Sequence, residues 1–233
     1  MPKPTKWNPS FDDKPTSDVP RIKLSKKFSD PYLEKRNLIL EIGCGTGSYT
    51  RLINRRGCIG LDIELDAVKV AKKYCINCQF IVASALKLPF KDEIFDLICI
   101  WGVFEEIPAG GEKQIVAEAQ RTLTYNAFML TSAYNDHIVS KFLDPAYFIR
   151  GVRHYNLKGF LNLISEAGLT VHKFAIFGGL NTLAANIIFY FYKHVLKKRE
   201  GPVKNFFDKK SAKELESNEC GIVYIFISAY KAQ

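Results

Sequence analysis

Glu41 and the three glycines that follow it, Gly43, Gly45 and Gly47, are the residues of this chain whose types and spacing point most directly at chemistry. Glycines at every second position let the backbone turn sharply and let a ligand come close to main-chain atoms. A dinucleotide-binding loop spaces its glycines as G-x-G-x-x-G and holds a pyrophosphate. Here the spacing is G-x-G-x-G, with a carboxylate two residues before the first glycine. That carboxylate repels a pyrophosphate and suits a ligand that carries positive charge. Asp62 closes a second short apolar run, Cys58-Ile59-Gly60-Leu61, where an acid can accept hydrogen bonds from ribose hydroxyls. On its own, Asp62 fits a nicotinamide ligand equally well.

The elements that must position these groups are legible around them. Leu38, Ile39, Leu40 and Ile42 read as a buried parallel strand, and Tyr49, Leu52 and Ile53 begin a helix after the glycines. Ala67, Val68, Ala71 and Tyr74 form one face of the next helix. Strands are expected at Gln79 to Ala83 and Phe95 to Trp101. A helix follows over Glu112 to Leu123, then a surface turn at Thr124-Tyr125-Asn126 and a fifth strand at Ala127 to Ser132. Asn156 is placed to cap a helix that ends at Gly168. Strands at Leu169 to Phe177 and Gly221 to Tyr230 complete the pattern. Strands alternating with helices in this way make an α/β fold.

Three segments in order carry a family resemblance: LILEIGCGTGSYT (Leu38 to Thr50), the strand ending in Asp62, and ALKLPFKDEIFDLICIWGVFEEI (Ala85 to Ile107). Together they resemble the class I S-adenosylmethionine-dependent methyltransferases, in the small-molecule and lipid-type branch typified by methyltransferase domain 11. The resemblance implies a Rossmann-like, doubly wound, seven-stranded sheet, mostly parallel with an antiparallel last strand. It implies S-adenosyl-L-methionine as cofactor, leaving as S-adenosyl-L-homocysteine. By the same resemblance Glu41, Gly43, Cys44, Gly45, Thr46 and Gly47 hold the methionine part, Asp62 the ribose and Ile63 the adenine face. Ser84, Ala85 and Leu86 follow strand three, with Ser84 where relatives often carry an Asp, and Trp101 lines the cofactor end.

Methyl transfer is an in-line displacement governed by positioning, and it needs a base only when the nucleophile arrives protonated. Glu105 and Glu106 are the catalytic candidates, although acids at this position also serve as helix-start residues. Relatives often carry His where Glu106 stands. Tyr134, His137, Tyr147, Arg150, His154 and Tyr155 are expected to line the acceptor pocket. No metal site is expected: Cys75 and Cys78 are a lone C-x-x-C, and a structural zinc site takes four ligands.

Composition is that of an ordinary globular domain, with 47% hydrophobic and 24% charged residues. No secretory signal is expected, and the cysteine usage suits the cytosol. Residues 1–35 read as an arm or lid, the disordered reading being favoured. Residues 36–233 read as the methyltransferase domain, with an insertion at about 178–219. The net charge of +9 is uneven, because residues 193–213 hold eight basic side chains against Glu200 and Asp208. This clustering suits RNA or an anionic membrane surface, and equally a solvated face. With its stripe of Leu183, Ile187 and Phe191, the insertion is expected to shape acceptor choice.

The acceptor is expected to be a small or lipid-like molecule. The alternatives are a tRNA or rRNA acceptor and a non-catalytic cofactor-binding protein, the latter motivated by Ser84 and the missing His. There is no Asp/Asn-Pro-Pro-aromatic loop after strand four and no Pro-Cys dipeptide. Their absence argues against amino-methylating and cytosine-C5 DNA enzymes. Calorimetry should show binding of S-adenosylhomocysteine and none of NAD; tight NAD binding alone would overturn the reading of the glycine loop.

Overall fold

The computed structural model describes residues 20–34, 36–198, 200–217 and 221–233. The expected arm thus lies outside the described residues up to residue 19. From Pro20 onward the expectation of an arm is corrected, because α1 (Pro20–Leu33) is a helix packed on the sheet. Leu24 is buried, and Ile22, Phe28, Tyr32 and Leu33 pack with it against β-strand side chains. An apolar stripe with a sheet face to cover folds where polar neighbours alone suggested disorder.

The chain continues through β1 (Ile39–Ile42), α2 (Thr50–Ile53), β2 (Cys58–Asp62), α3 (Leu65–Tyr74), β3 (Gln79–Val82) and β4 (Phe95–Trp101). Next come α4 (Gly111–Thr122), β5 (Leu123–Tyr134), α5 (Ile138–Leu143), α6 (Pro145–Arg150), α7 (Leu157–Glu166) and β6 (Thr170–Phe177). Helices α8 (Leu180–Phe191) and α9 (Pro202–Ser217) precede β7 (Tyr224–Tyr230), and a π turn at Tyr192–Leu196 extends α8. The seven strands form one sheet in the order β3-β2-β1-β4-β5-β7-β6. Neighbours from β3 to β5 run parallel, and β7 runs antiparallel to both β5 and β6. The strand order reverses between β1 and β4, which opens a crevice at their C-terminal ends. Glu41 and Trp101 stand at that crevice.

Both faces of the sheet are covered. Ile115, Val116 and Ala119 of α4 with Phe160 and Ile164 of α7 fill one side. Leu24, Tyr49, Leu183 and Leu215 close the other, so the insertion supplies part of the core. The expected surface turn at Thr124-Tyr125-Asn126 is also corrected. These residues lie inside β5, where Leu123 pairs with Phe95 and the ladder resumes with Phe128 opposite Leu97. The extra residues are absorbed as a bulge, with Asn126 at φ +61°. Asn156 does cap α7, accepting from the Gly159 N–H at 2.7 Å.

One side chain ties the insertion together. Glu214 of α9 accepts from the N–H groups of Gly179 and Thr182 at 2.8 Å each and from the Thr182 hydroxyl at 2.7 Å. It serves as a cap for the N-terminus of α8, supplied from another helix. Those hydrogen bonds outweigh burial and hold its carboxyl below the usual value. A carboxyl depressed in the fold stabilises above its unfolded pKa of about 4.5, and that stability fades as the pH falls further. Glu214→Ala should therefore cost about 1–2 kcal/mol at pH 7, read by chemical denaturation. The difference from wild type should shrink in acid, and an equal cost at pH 7 and pH 3 would refute the assignment.

Candidate active site

A cavity of about 750 Å³ occupies the crevice between β1 and β4. Its floor is Glu41, Gly43, Cys44, Gly45, Asp62 and Trp101; its roof comes from α1, α8 and α9. Short turns after β1 and β2 bring the two acids to one end. Gly45 takes φ +51°, and no atom lies within 4 Å of the place a Cβ would occupy, so a ligand can rest on its backbone. Gly47 has a different task. A Cβ there would stand 3.0 Å from the Ala71 Cβ, so its missing side chain lets the loop pack on α3.

Glu41 is buried on the central strand and accepts a hydrogen bond from the Thr50 hydroxyl. Burial pushes its carboxyl up to about 8, against the hydrogen bonds from Thr50. Asp62 binds the loop itself, accepting from the Gly45 N–H at 2.7 Å and the Glu64 N–H at 3.0 Å. A carboxylate has about four acceptor sites, so capacity is left for two ligand hydroxyls. Trp101 packs edge-on to Tyr49 at 5.3 Å, and its buried indole N–H has no hydrogen-bond partner among the described residues.

A lobe of about 230 Å³ adjoins this cavity, sharing Arg21, Glu106, Tyr134 and Arg150 and adding Glu105 and Asp144. Glu105 is buried, and its Oε2 has no hydrogen-bond partner among the described residues. Burial pushes its carboxyl up to about 7, while the Arg21 guanidinium works to lower it. Burial acts against the Arg21 charge, but Tyr134, Tyr224, Glu105 and Glu106 around it raise its pKa overall. Glu106 is held differently: one guanidinium nitrogen of Arg150, Nη2, donates to both of its carboxylate oxygens, at 2.5 and 2.6 Å. Burial raises the Asp144 carboxyl; its Oδ2 lies 3.4 Å from His154 Nε2 but outside hydrogen-bond geometry.

The cavity gathers Glu41, Gly43, Cys44, Gly45, Thr46, Asp62 and Trp101 among the expected cofactor residues. Ile63, Ser84, Ala85 and Leu86 stand outside its lining: Ile63 is 67% exposed, and Ser84 Oγ accepts from the Leu86 N–H at 3.2 Å. Of the expected acceptor residues, Tyr134 and Arg150 line it; His137, Tyr147, His154 and Tyr155 do not. Tyr155 donates to the Phe104 carbonyl at 2.7 Å, which fixes the turn after β4. His154 lies between the rings of Tyr134 and Tyr147, tilted to the first and edge-on to the second, and burial pushes it down to about 4, so it stays neutral at pH 7. The thiols of Cys75 and Cys78 both donate to the Thr50 carbonyl, at 4.0 and 3.7 Å. Sequence reasoning missed Arg21, Asn186, Tyr190 and Tyr224. They come from segments with no motif, and only packing brings them to the crevice.

Residues 39–126 match the family model described as methyltransferase domain. Over that stretch, which is less than half of its length, the chain is similar to a methyltransferase domain. An uncharacterized protein of Methanocaldococcus jannaschii is 29% identical over 138 residues, 59% of this chain and 50% of that one. "Probable tRNA methyltransferase 9B" of Homo sapiens is 34% identical over 95 residues, 41% of this chain and 20% of that one. The chain thus spans half or less of the curated relatives it matches. Among solved structures, geranyl diphosphate C-methyltransferase from Streptomyces coelicolor superposes with a TM-score of 0.63 at 12% identity, covering 90% of this chain and 77% of that one. It was solved with Mg²⁺, geranyl diphosphate and S-adenosyl-L-homocysteine, and at that identity the likeness is one of fold.

A carboxyl raised in the fold holds its proton where the unfolded chain has lost it. Stability therefore falls as the pH rises from about 4.5 to about 8, the window between the unfolded value and that of Glu41. Glu41→Gln should flatten this fall and be more stable than wild type near pH 8 in the absence of ligand. Denaturation curves at pH 5, 6.5 and 8 test it, and parallel profiles for the two proteins would refute it.

Proposed function

We propose that the protein is an S-adenosylmethionine-dependent methyltransferase that transfers a methyl group to a small or lipid-like acceptor. The observation that carries this reading is one cavity that joins the Glu41–Asp62 end to the Glu105 lobe. When bound, S-adenosylmethionine supplies a methyl group on a positively charged sulfur. The fit rests on this chain's own groups. Glu41, raised by burial, ionises beside a cation, and the open backbone of Gly45 admits a close ligand. Asp62 is oriented by two N–H groups and directs its remaining acceptor capacity at ribose hydroxyls. The exposed Ile63 side chain offers an apolar face to adenine.

In the adjoining lobe Glu105 is suited to take a proton from an acceptor hydroxyl, amine or activated carbon near neutral pH. Its carboxyl sits close to the operating pH and has an oxygen without a partner. Glu106 and Arg150 form a fixed pair that positions, and Tyr134 supplies an apolar wall with a polar tip. Asn186, Phe189 and Tyr190 of the insertion line the same lobe, which supports a part for it in acceptor choice.

A second reading, an RNA acceptor, is favoured by the +9 charge and by the relative named as a tRNA methyltransferase. The basic segment 193–213 would then meet phosphates. Incubating the protein with methyl-labelled cofactor and cell extract, then separating lipid, RNA and small-molecule fractions, decides between the two. Label is expected in the organic-soluble or small-molecule fraction; label in RNA alone would overturn the leading reading, and no transfer would favour a non-catalytic binder. Asp62→Ala should weaken S-adenosylhomocysteine binding by about 1–3 kcal/mol. Unchanged affinity in a folded variant would remove Asp62 from the site.

A further inference from the structure

Helices α5 and α6 are built inside out. In α5 the buried residue is Ser140, whose hydroxyl has no hydrogen-bond partner among the described residues, while Ile138 and Phe142 face outward. In α6 the buried residue is the small Ala146, and Phe148 and Ile149 face outward. These four large side chains are between 62% and 70% exposed. A helix on a water-covered surface turns its large apolar side chains toward the core and its hydroxyls toward solvent. Here the order is reversed over two consecutive helices, and contiguous exposed apolar surface of this kind marks an interaction site.

The neighbouring element adds charge. Both α5 and α6 contact α8. The π turn that extends α8 exposes Val195 and Leu196 and is followed directly by the exposed Lys197 and Lys198. The two elements meet at the site, because Ile149 of α6 lines the same cavity as Phe189 of α8. Apolar side chains flanked by lysines fit a surface that is greasy within and anionic at its rim. A second copy of the chain fits less well, since a two-fold contact through this face would gather two sets of the same lysines into one interface. RNA also fits poorly, because it offers phosphates and stacking bases but nothing that covers Ile and aliphatic Val or Leu side chains. No described helix is long and apolar enough to span a bilayer, so the mode is docking on the surface.

We propose that the α5–α6 face, with the end of α8, docks the protein on an anionic lipid bilayer and brings the cavity to the membrane surface. Docking depends on surface chemistry alone, so it stands or falls independently of the methyl acceptor. The test is co-sedimentation of the full chain with phosphatidylcholine vesicles, with and without phosphatidylserine. Binding is expected with phosphatidylserine, with at least a roughly tenfold loss in the double variant Phe142→Ser/Phe148→Ser and a smaller loss in Lys197→Gln/Lys198→Gln. Amide exchange on the unaltered protein gives a second readout: residues 138–150 should gain protection when those vesicles are added. Absence of vesicle binding, equal binding by the folded Phe variant, or no gain in protection would each overturn the proposal. A dimer that Phe142→Ser/Phe148→Ser disperses would assign the face to a second copy, and salt-sensitive binding to RNA without binding to vesicles would assign it to nucleic acid.

Discussion

A carboxylate buried at the end of the central strand is the constraint around which this molecule is arranged. Glu41 sits between β2 and β4 in the middle of the sheet, where an ionised group without a partner is strongly disfavoured. The fold answers with the Thr50 hydroxyl, placed by the start of α2, and with a carboxyl that keeps its proton to about pH 8. That arrangement requires α2 to begin where it does. The glycine loop must therefore close tightly, with Gly47 packed on Ala71. Asp62 completes the loop from the next strand by holding the Gly45 N–H. A carboxyl raised by burial gains most from a cation placed beside it, which links the burial of Glu41 to the charge of its ligand.

The same logic extends into the adjoining lobe with a different balance. Glu105 is buried as deeply as Glu41, but a guanidinium stands near it, and its carboxyl comes to about 7. Glu106, one residue on, is neutralised directly by Arg150. Adjacent acids in one turn thus acquire separate characters: burial raises Glu105, while Arg150 holds Glu106. Arg21, which faces both, reaches the lobe from a helix more than eighty residues earlier in the chain.

Insertion and scaffold are not separable. α8 and α9 bury Leu183 and Leu215 against the sheet, and Glu214 locks one helix to the other. Their other surfaces line the cavity. An element that both completes the core and bounds the pocket couples stability to the shape of the cavity, so substitutions there should move both together.

The glycine loop, Asp62, the alternating strands and the Asn156 cap were legible in the sequence because each is a local matter. Spacing sets the turn, periodicity sets the strand, and one side chain caps one helix. The segment read as an arm became α1 because its stripe of Ile22, Leu24 and Phe28 finds a sheet face, which no local pattern reveals. The turn at Thr124–Asn126 became a bulge because the ladder with β4 outweighed its turn preference. His154 and Tyr155 carried the right chemistry at the right distance along the chain, yet packing turned the first between two rings and spent the second on a carbonyl. Arg21, Tyr190 and Tyr224 carried no signal at all. Sequence determined the cofactor-binding end, where contacts lie within a strand, a turn and a helix. Tertiary structure alone decided the adjoining lobe, because its residues come from α1, the turn after β4, β5, α6 and α8 and meet only when the sheet is covered.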